Sequence, residues 1–535
     1  MLGFHRRTRS LIPVEELGKY DKVPVQEEEE EEEELYVEED AERYDGMDGQ
    51  DKSRGRQLML VYFVFLAEAI MASSLQPQLQ MLTSSSDYCG NLSTSYLRSI
   101  LDCAYAFGGT SGLFWGYLAD RMGRRRVTLL GLWTMLICCL SGGFATSLAG
   151  CAIFRFFAGV ASSTIVCTTL TMIGDLSTTP DMRAKNIACL PLISLCGALG
   201  QLMQGMVSES LQAYGMVWEK FPTLGSELAC STMLFAIAVV ASVFLKETLP
   251  RHSAAAEDMD CEKAAFLTRD SSDTGITLVD IVASPEPIKI AQFLQAPSFI
   301  ILLSSFCLLS LHSATFDILL PHLGQSDSQS GGMGIACEWL SIVVLIVRVI
   351  AGVAIWFAFP FAIRKYGLVK LYRSVSLLFP AMYVVTPSLV LLASSFAALV
   401  PVVSVLSILL KHMLTDGAII CVALLVLHTT PDAFSAGTAV GMMQVASLFK
   451  AFAVAVSGTS YYFSDDVSVQ TTSLALWSCL AMFGAVGAGF AWFVRERPRV
   501  ERDWPSEVLR WEMCFDADAE KKGAEEDVES LLGDD

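Results

Sequence analysis

The sequence predicts an all-α membrane protein in which twelve transmembrane helices form two pseudo-symmetric six-helix bundles. Of the 535 residues, 53% are hydrophobic and only 18% are charged, and the mean hydropathy is positive. Such a composition excludes a soluble protein of several domains. Twelve apolar runs are each long enough to cross a bilayer as a helix. A polar, acidic and Ser-rich segment at 246–292 divides them into two sets of six.

The apolar runs give the positions of the helices in chain order. The first six are predicted near 57–82, 97–119, 127–147, 149–173, 186–208 and 226–245. The second six are predicted near 297–320, 338–362, 370–393, 397–427, 436–460 and 471–494. The predicted domains are an acidic cytoplasmic tail (1–53), the N-terminal bundle (54–245), a cytoplasmic linker (246–292), the C-terminal bundle (293–495) and a second acidic cytoplasmic tail (496–535).

The formal net charge of −20 belongs to the two tails, since the first 50 and the last 35 residues hold the whole excess of acidic over basic residues. The N-terminal tail contains eight consecutive glutamates, Glu27–Glu34. A segment of this kind cannot bury enough apolar surface to fold, so we expect a disordered cytoplasmic tail. We interpret it as solvated chain in preference to a docking site.

The turns between the helices predict the orientation in the membrane. Basic residues near short turns resist translocation and mark the cytoplasmic side. They precede helix 1 and follow every even-numbered helix except the tenth, whose turn contains Pro431 and Asp432. The turns on the opposite side are poor in Lys and Arg. Both termini are therefore predicted to be cytoplasmic.

The turn between helices 2 and 3 has the most distinctive sequence in the chain. It reads Gly116-Tyr117-Leu118-Ala119-Asp120-Arg121-Met122-Gly123-Arg124-Arg125-Arg126. Gly116 and Gly123 permit a tight turn with close packing, and Asp120 offers the arginines a carboxylate partner. An ordinary basic loop would explain the arginines but not this order of Gly, Asp and Arg.

Charged side chains inside a bilayer are energetically costly, so each one is a candidate for function. The candidates for proton coupling or for lining a substrate cavity are Glu68, Asp102, Arg155, His312, Asp317, Lys411 and Lys450. Structural pairing remains the alternative for Glu68, Arg155 and Asp317. Asp102 lies nearer a helix end, where snorkelling or capping is equally open.

Most of the fifteen cysteines lie inside apolar runs, which favours packing roles over disulfides. No Cys-x-x-Cys spacing occurs, and no nucleophile is paired with a base in the sequence. We therefore expect no metal, no cofactor and no enzymatic activity. Asn91 begins a glycosylation sequon, but it lies so close to helix 2 that its use remains open.

The turn from Gly116 to Arg126 resembles the signature loop of the major facilitator superfamily. Arg155-x-x-x-Gly159 resembles the helix 4 motif of that family, whose arginine is tied to proton coupling. In helix 5, three glycines fall where antiporters of the family carry Gly-x-x-x-Gly-Pro-x-x-Gly-Gly: Gly197, Gly200 and Gly205. Gln201 replaces the proline and Gln204 the first glycine of the pair, which weakens the case for antiport.

Four further segments resemble the drug:proton antiporter branch, which includes the zinc-induced facilitator-like proteins and fungal vacuolar members. They are Ala67–Ile70, Phe221–Pro222, Lys246–Pro250 and Leu311–Pro321. The resemblance implies a secondary transporter in which the two bundles rock around a site near the midplane of the membrane.

Within such a transporter, Glu68 or Asp317 is the expected proton carrier, and Arg155 would oppose or release that proton by its charge. Asp120 with Arg124 would form a clasp on the cytoplasmic side. The gate motif as a whole comprises Gly116, Asp120, Arg121, Gly123, Arg124 and Arg125.

The preferred function is proton-coupled efflux or vacuolar sequestration of a small molecule by a monomer in the lipid bilayer. No nucleotide-binding motif is present, so the energy would come from an ion gradient or from the substrate's own gradient. We expect no nucleic acid partner. A transporter-like receptor or scaffold remains the alternative, because the acidic tails and the altered helix 5 motif permit it. Organic cations, drugs, metal chelates and metabolites all remain open as substrates.

The C-terminal tail predicts the subcellular location of the protein. Its end, Asp527-Val528-Glu529-Ser530-Leu531-Leu532, resembles the acidic dileucine signal that sorting adaptors bind. A basic adaptor patch would bind Asp527, and an apolar pocket would bind Leu531 and Leu532. We therefore expect a vacuolar or other internal membrane in preference to the plasma membrane, with a chance match as the alternative.

Overall fold

The computed structural model describes residues 52–84, 94–212, 218, 220–249, 290–325, 335, 337–393, 399–430, 435–463 and 469–494. The described residues from 57 onward belong to one compact unit, and every contact given below lies within it. The predictions for the acidic tails, for most of the linker, for Asn91 and for Asp527–Leu532 lie outside the described residues. The domain boundaries remain a prediction.

We group the long helices of the described residues into twelve, α1 to α12, and four of these consist of two helical pieces. The N-terminal six are α1 (52–73 and Leu75–Ser84), α2 (Thr94–Gly109 and Gly112–Met122), α3 (Arg124–Gly142), α4 (Leu148–Leu176), α5 (Pro180–Ala188 and Leu190–Gln212) and α6 (Leu224–Phe244). The C-terminal six are α7 (Pro297–Gln325), α8 (Cys337–Tyr366), α9 (Leu368–Ala393), α10 (Leu399–Thr429), α11 (Ala436–Met443 and Ala446–Phe463) and α12 (Val469–Phe493). A short helix, Ile290–Phe293, precedes α7.

The predicted fold class, an all-α membrane protein with twelve helices in two bundles, is confirmed. Ten helices in the described part of the chain are long and apolar enough to cross a membrane. Of the other two segments, α2 contains a turn at Thr110–Ser111, and α12 includes the apolar helical stretch Trp477–Phe493.

The two halves of the chain pack in the same way, which gives the fold its pseudo-symmetry. In the N-terminal half, α4 packs against α2 and α3, and α3 packs against α6. The helices six positions later repeat these contacts, since α10 packs against α8 and α9, and α9 packs against α12. Between the halves, α2 packs against α11, and the equivalent pair, α8 and α5, does the same. Two symmetric seams therefore join the bundles.

Apolar side chains fill the bundles and also cover their outward faces. Leu132, Met135 and Ala158 are at most 1% exposed in the core of the N-terminal bundle. Phe157 and Phe361, in contrast, point outward and are 48% and 67% exposed. Water disfavours so much exposed apolar surface, whereas lipid tails solvate it.

Local sequence signals set several helix ends. The Ser147 hydroxyl accepts a hydrogen bond from the Gly150 amide (3.2 Å) and begins α4. The Thr179 hydroxyl caps α5 in the same way, with Pro180 at the first helical position. The turn from α2 to α3 passes through Gly123, whose φ of +99° lies in a region that favours glycine.

Candidate functional site

Asp120 joins the two bundles where α2 meets the start of α11, at the end that the basic turns mark as cytoplasmic. Its Oδ1 accepts a hydrogen bond from the Gly437 amide (2.9 Å), and its Oδ2 accepts from the amide and the hydroxyl of Thr438 (2.6 and 2.8 Å). These amides belong to the first turn of α11, whose donors have no partner within the helix and which carries the positive end of the helix dipole. The carboxylate therefore caps a helix of the opposite bundle.

Arg124 lies behind Asp120 and connects α3 to α4. Its side chain is fully buried, and its guanidinium pairs with Asp175 and lies 3.8 Å from Asp120. The clasp of Asp120 with Arg124 stays a prediction. The amides and the hydroxyl of α11 approach the Asp120 carboxylate more closely than the arginine does. Asp120, Arg124, Asp175 and Thr438 are called the gate cluster below.

The other basic residues of the motif have separate roles. The carboxylate of Glu247, which follows α6, accepts hydrogen bonds from the backbone amides of Arg124 (2.8 Å) and Arg125 (3.1 Å) and so caps α3. The Arg125 guanidinium donates to a backbone carbonyl of α6 (2.9 Å). Arg121 is exposed and lies over the Tyr117 ring at 4.3 Å. The motif thus fixes α3 to α6 as well as α2 to α11.

Glycines bring α2 and α11 into backbone contact beside the gate cluster. A Cβ at Gly116 would overlap the carbonyl of Gly437, and a Cβ at Gly441 would overlap the carbonyl of Gly112. The close packing that the sequence predicts for Gly116 is present. We call these four residues the glycine seam.

Glu68 on α1 is the centre of a polar cluster inside the N-terminal bundle. Its Oε1 accepts hydrogen bonds from the hydroxyls of Ser162 on α4 (2.9 Å) and Tyr105 on α2 (3.4 Å). Lys450, on α11 of the other bundle, is among its electrostatic neighbours. Within the described residues no basic side chain comes within 4 Å of the Glu68 carboxylate, so hydroxyls are its direct partners.

Arg155 on α4 contacts the same cluster from the side away from the gate. Its guanidinium donates to the Ser74 hydroxyl (2.9 Å) and to the Met71 carbonyl (3.2 Å), where α1 is interrupted. It also lies 5.1 Å from the centre of the Tyr105 ring. Tyr105 therefore contacts both Arg155 and Glu68. A Cβ at Gly159 would overlap the Tyr105 carbonyl, so the glycine of the helix 4 motif sets the position of Tyr105.

Two candidates from the sequence lie apart from this cluster. Asp102 pairs with Arg98 one turn earlier on α2 (3.5 Å), and the two side chains are 33% and 50% exposed. That arrangement fits the capping or snorkelling alternative. Lys450 is exposed on α11 and is linked to the cluster only through its charge.

In the C-terminal bundle, Asp317 on α7 forms an ion pair with Lys411 on α10. Lys411 is fully buried, whereas 39% of the Asp317 side chain is exposed. The ammonium also lies over the Phe316 ring, 5.1 Å from its centre, a cation–π contact. Asp317 is therefore the accessible member of the pair, and the structure brings two of the predicted site residues together.

His312 precedes Asp317 by five residues on α7 and faces an aromatic pocket. Its Nδ1 is 3.0 Å from the Tyr383 hydroxyl, and its ring meets Phe379 edge to face at 4.8 Å. It is only 2% exposed. This environment fits a packing role between α7 and α9 better than direct contact with a solute.

The helix 5 glycines divide into two kinds. Gly197 packs against the backbone of Ala69 on α1, and its carbonyl accepts a hydrogen bond from Ser73 (2.9 Å). Gly200 packs against Ile70. A Cβ at Gly205 would meet nothing within 4 Å, so that glycine has no packing role in the described contacts.

Glu227 on α6 is a buried carboxylate that no pattern in the sequence marked. It is 5% exposed, and it accepts hydrogen bonds from the Gln78 amide on α1 and the Cys139 thiol on α3 (2.7 Å). Its place in the first turn of α6 resembles that of an ordinary acidic residue at a helix start. Its partners lie 149 and 88 residues away in sequence, so only the fold reveals its burial.

A family model described as the Major Facilitator Superfamily matches residues 58–455. The multidrug transporter mfsB of Aspergillus fumigatus is 23% identical over 437 residues, which cover 69% of this chain and 71% of that protein. The efflux pump azaK of Aspergillus niger is 29% identical over 134 residues, covering 25% of this chain and 28% of that protein.

Two solved structures share the fold. The human organic anion transporter MFSD10 aligns with a TM-score of 0.57 and 15% identity, over 82% of this chain and 99% of its own. The proton:xylose symporter XylE aligns with a TM-score of 0.54 and 14% identity, over 83% of this chain and 96% of its own.

Proposed function

The chain belongs to the major facilitator superfamily, and from this membership we propose that it moves a small organic solute out of the cytoplasm in exchange for protons. In alternating access the two bundles rock, so that a central site opens to one side of the membrane at a time. The names of two relatives, a multidrug transporter and an efflux pump, support transport in the export direction.

The surroundings of Glu68 are the observation that carries the proposal of proton coupling. Its direct partners are the neutral hydroxyls of Ser162 and Tyr105. A hydroxyl can donate to a carboxylate and accept from a protonated carboxyl group, so a proton can come and go without breaking an ion pair. Asp317 would first have to leave Lys411. Glu68 is therefore the better proton carrier of the two.

Asp317 supports a site for a cationic solute. It is the accessible member of its ion pair, while the Lys411 ammonium is buried behind it. A solute cation entering between the bundles would meet the carboxylate first and could replace part of its interaction with Lys411. This competition would couple solute binding to the contact between α7 and α10.

The gate cluster supports alternating access. Asp120 holds α11 to α2 on the cytoplasmic side by three hydrogen bonds that cross from one bundle to the other. Opening to the cytoplasm has to break these bonds, and closing re-forms them. In this proposal the described structure is a state closed at that end.

Transport by the purified full-length chain in sealed proteoliposomes tests the proposal. The probes are radiolabelled tetraphenylphosphonium as an organic cation and fluorescein as an organic anion, with an imposed pH gradient and a trapped pH-sensitive dye. We expect the cation to accumulate only when the gradient is present, together with proton movement in the opposite direction. Glu68→Gln should abolish accumulation but preserve exchange of labelled for unlabelled cation.

Asp102→Asn is the matched control, because it neutralises another membrane carboxylate that is paired on the outside of α2. It should accumulate the cation like the parent. Binding of a probe without any exchange across the membrane would instead identify a receptor. Accumulation by Glu68→Gln at the parental rate and pH dependence would remove Glu68 from the coupling mechanism.

A further inference from the structure

Three side chains with metal-binding atoms meet at the end of the N-terminal bundle opposite the gate cluster. They are Cys139 on α3 and Glu227 and Cys230 on α6, and their ligand atoms all lie within 4.8 Å of one another. The residues are 1%, 5% and 0% exposed. None of them takes part in the gate cluster or in the surroundings of Glu68 and Asp317.

The fold, not the local sequence, creates this cluster. Glu227 and Cys230 are three positions apart on α6, so they share one face of the helix. Cys139 reaches that face from the last turns of α3, and its thiol lies 2.7 Å from a carboxylate oxygen of Glu227. Because Cys139 and Cys230 lie on different helices, the cluster has no Cys-x-x-Cys spacing by which it could be found in the sequence.

The Glu227 carboxylate is poorly compensated by its protein partners alone. A buried charge needs an opposite charge or strong hydrogen bonds, and a thiol is only a weak donor. The Gln78 amide supplies one good hydrogen bond. A cation between the carboxylate and the two sulfurs would supply the missing charge.

A small cavity adjoins the cluster and contains polar groups that lack partners. Gln78, Arg155, Thr223 and Glu227 are among the residues that line it. The Thr223 hydroxyl is buried, in a residue that is 3% exposed, and has no hydrogen-bond partner among the described residues. The Nε of Arg155 is in the same situation. These groups indicate that the cavity is suited to a polar occupant such as a metal-bound water.

We propose that Cys139, Glu227 and Cys230 bind Zn²⁺, with a water molecule from the cavity as the fourth ligand. Three protein ligands and one open position are a common zinc arrangement. Thiolates exclude Mg²⁺ and Ca²⁺, and a carboxylate among the ligands favours Zn²⁺ over Cu⁺. Ligands at about 2.0–2.3 Å from a tetrahedral zinc lie about 3.3–3.8 Å apart. Ligand atoms separated by as much as 4.8 Å would have to approach by about 1 Å, whereas the Cys139 sulfur and the Glu227 oxygen, now 2.7 Å apart, would have to separate slightly.

The charges also balance. On binding, both thiols release their protons to solvent, so two thiolates and a carboxylate surround the divalent ion. The site then carries one net negative charge. Arg155, which lines the adjoining cavity, offsets it with one positive charge. The ion would tie α3 to α6 at the end of the bundle opposite the gate cluster.

Metal content and metal affinity of the full-length protein in detergent test the proposal. We expect inductively coupled plasma mass spectrometry to find one equivalent of zinc per chain. We also expect the protein to bind zinc tightly in competition with a chromophoric chelator. After chelation, added zinc should raise the melting temperature, because a ligand that binds only the folded state stabilises it. Cobalt in place of zinc should give a thiolate-to-cobalt charge-transfer band.

Variants assign the ligands. Cys139→Ser, Cys230→Ser and Glu227→Gln should each weaken zinc binding at least about tenfold, because the loss of a residue that only hydrogen-bonds to a metal ligand can already have that effect. Glu227→Gln should keep the thiolate-to-cobalt band, whereas the two serine variants should weaken it. Cys421→Ser changes another fully buried cysteine, on α10, and should bind zinc like the parent.

Several outcomes would overturn the proposal. One is that the parent protein contains no zinc and its melting temperature does not respond to added zinc. Another is that Cys139 and Cys230 form a disulfide in protein whose free thiols were blocked before purification. A third is that the site binds copper(I) and that Glu227→Gln leaves this binding unchanged. The thermal response is measured on the parent itself, so the test stands even if a variant fails to fold.

Discussion

The carboxylate of Asp120 on α2 caps the first turn of α11 through Thr438, accepting hydrogen bonds from its amide at 2.6 Å and its hydroxyl at 2.8 Å. A capping interaction normally lies within one helix and its preceding residue. Here the cap comes from the other bundle, 318 residues away in sequence. One interaction thus both stabilises a helix start and joins the two bundles.

Removing the charge of Asp120 should open the cytoplasmic end. Cys167 on α4 reports on it, because its thiol is fully buried and lies 3.3 Å from the Gly437 carbonyl. Asp120→Asn should speed alkylation of Cys167 by N-ethylmaleimide about tenfold to a hundredfold, since hydrogen bonds to charged groups contribute about 1.5–3 kcal/mol. Mass spectrometry of the Cys167 peptide measures the rate.

The control for the gate is Asp181→Asn. Asp181 on α5 pairs with Arg364 on α8 at 3.0 Å, across the other seam, but both side chains are more than half exposed. Exposed pairs contribute little, so Cys167 should react at the parental rate. Equal rates in Asp120→Asn and the parent would show that the cap does not hold the gate.

The ion pair between Asp317 and Lys411 should show strong energetic coupling. Asp317→Asn leaves the Lys411 ammonium buried without its partner, which for fully buried pairs costs about 3–5 kcal/mol. The partial exposure of Asp317 lowers this figure. The double variant Asp317→Asn/Lys411→Met should melt at a higher temperature in detergent than Asp317→Asn. Additive losses in the double variant would contradict a coupled pair.

Gly159→Ala should disturb the surroundings of Glu68 without touching that residue. The added methyl group would press on the Tyr105 carbonyl and displace α2 from α4, and such overpacking costs about 1–3 kcal/mol. We expect a lower melting temperature and a weaker proton coupling. Gly205→Ala has open space and should match the parent in both measurements. Equal behaviour of the two variants would show that Gly159 does not position Tyr105.

The orientation prediction is open to cysteine labelling. In a background without reactive cysteines, single cysteines at 87–95 and at 464–468 should react with an impermeant maleimide from the same side of sealed cells or vesicles. Cysteines at 121–126 should react only from the other side. Reaction of all three regions from one side would be incompatible with twelve membrane crossings.

The double variant Leu531→Ala/Leu532→Ala in a fluorescently tagged chain tests the predicted subcellular location. An adaptor that binds the dileucine pair would no longer retain the protein on internal membranes, so fluorescence should shift toward the plasma membrane. Total protein should stay similar. An unchanged distribution would show that another segment sets the location.

The sequence predicts the helices well because membrane crossing imposes a length and a composition on each one. Glu68, Asp317 and Lys411 could also be found from sequence, since charge inside an apolar run is rare. Their partners could not. That Asp317 pairs with Lys411, or that Asp120 caps α11, depends on which helices meet, and 94 and 318 residues of chain separate the groups.

The contact between Cys139 and Glu227 could not be predicted from local sequence patterns. Each residue taken alone is ordinary, a cysteine in an apolar run and an acidic residue at a helix start. Only the packing of α3 against α6 brings them to 2.7 Å. Asp102 shows the opposite case, because its charge in a membrane run drew attention although it pairs with Arg98 on its own helix.

At the glycine seam, α2 and α11 of the two bundles approach each other closely enough for their backbones to touch. The backbone of Gly116 lies against Gly437 and that of Gly441 against Gly112, while the Gln444 side chain covers Gly112. If the bundles rock as proposed, these backbone surfaces can part with few rotamers having to change. The polar contacts at the edge of the seam, Asp120 foremost among them, would then set its equilibrium position.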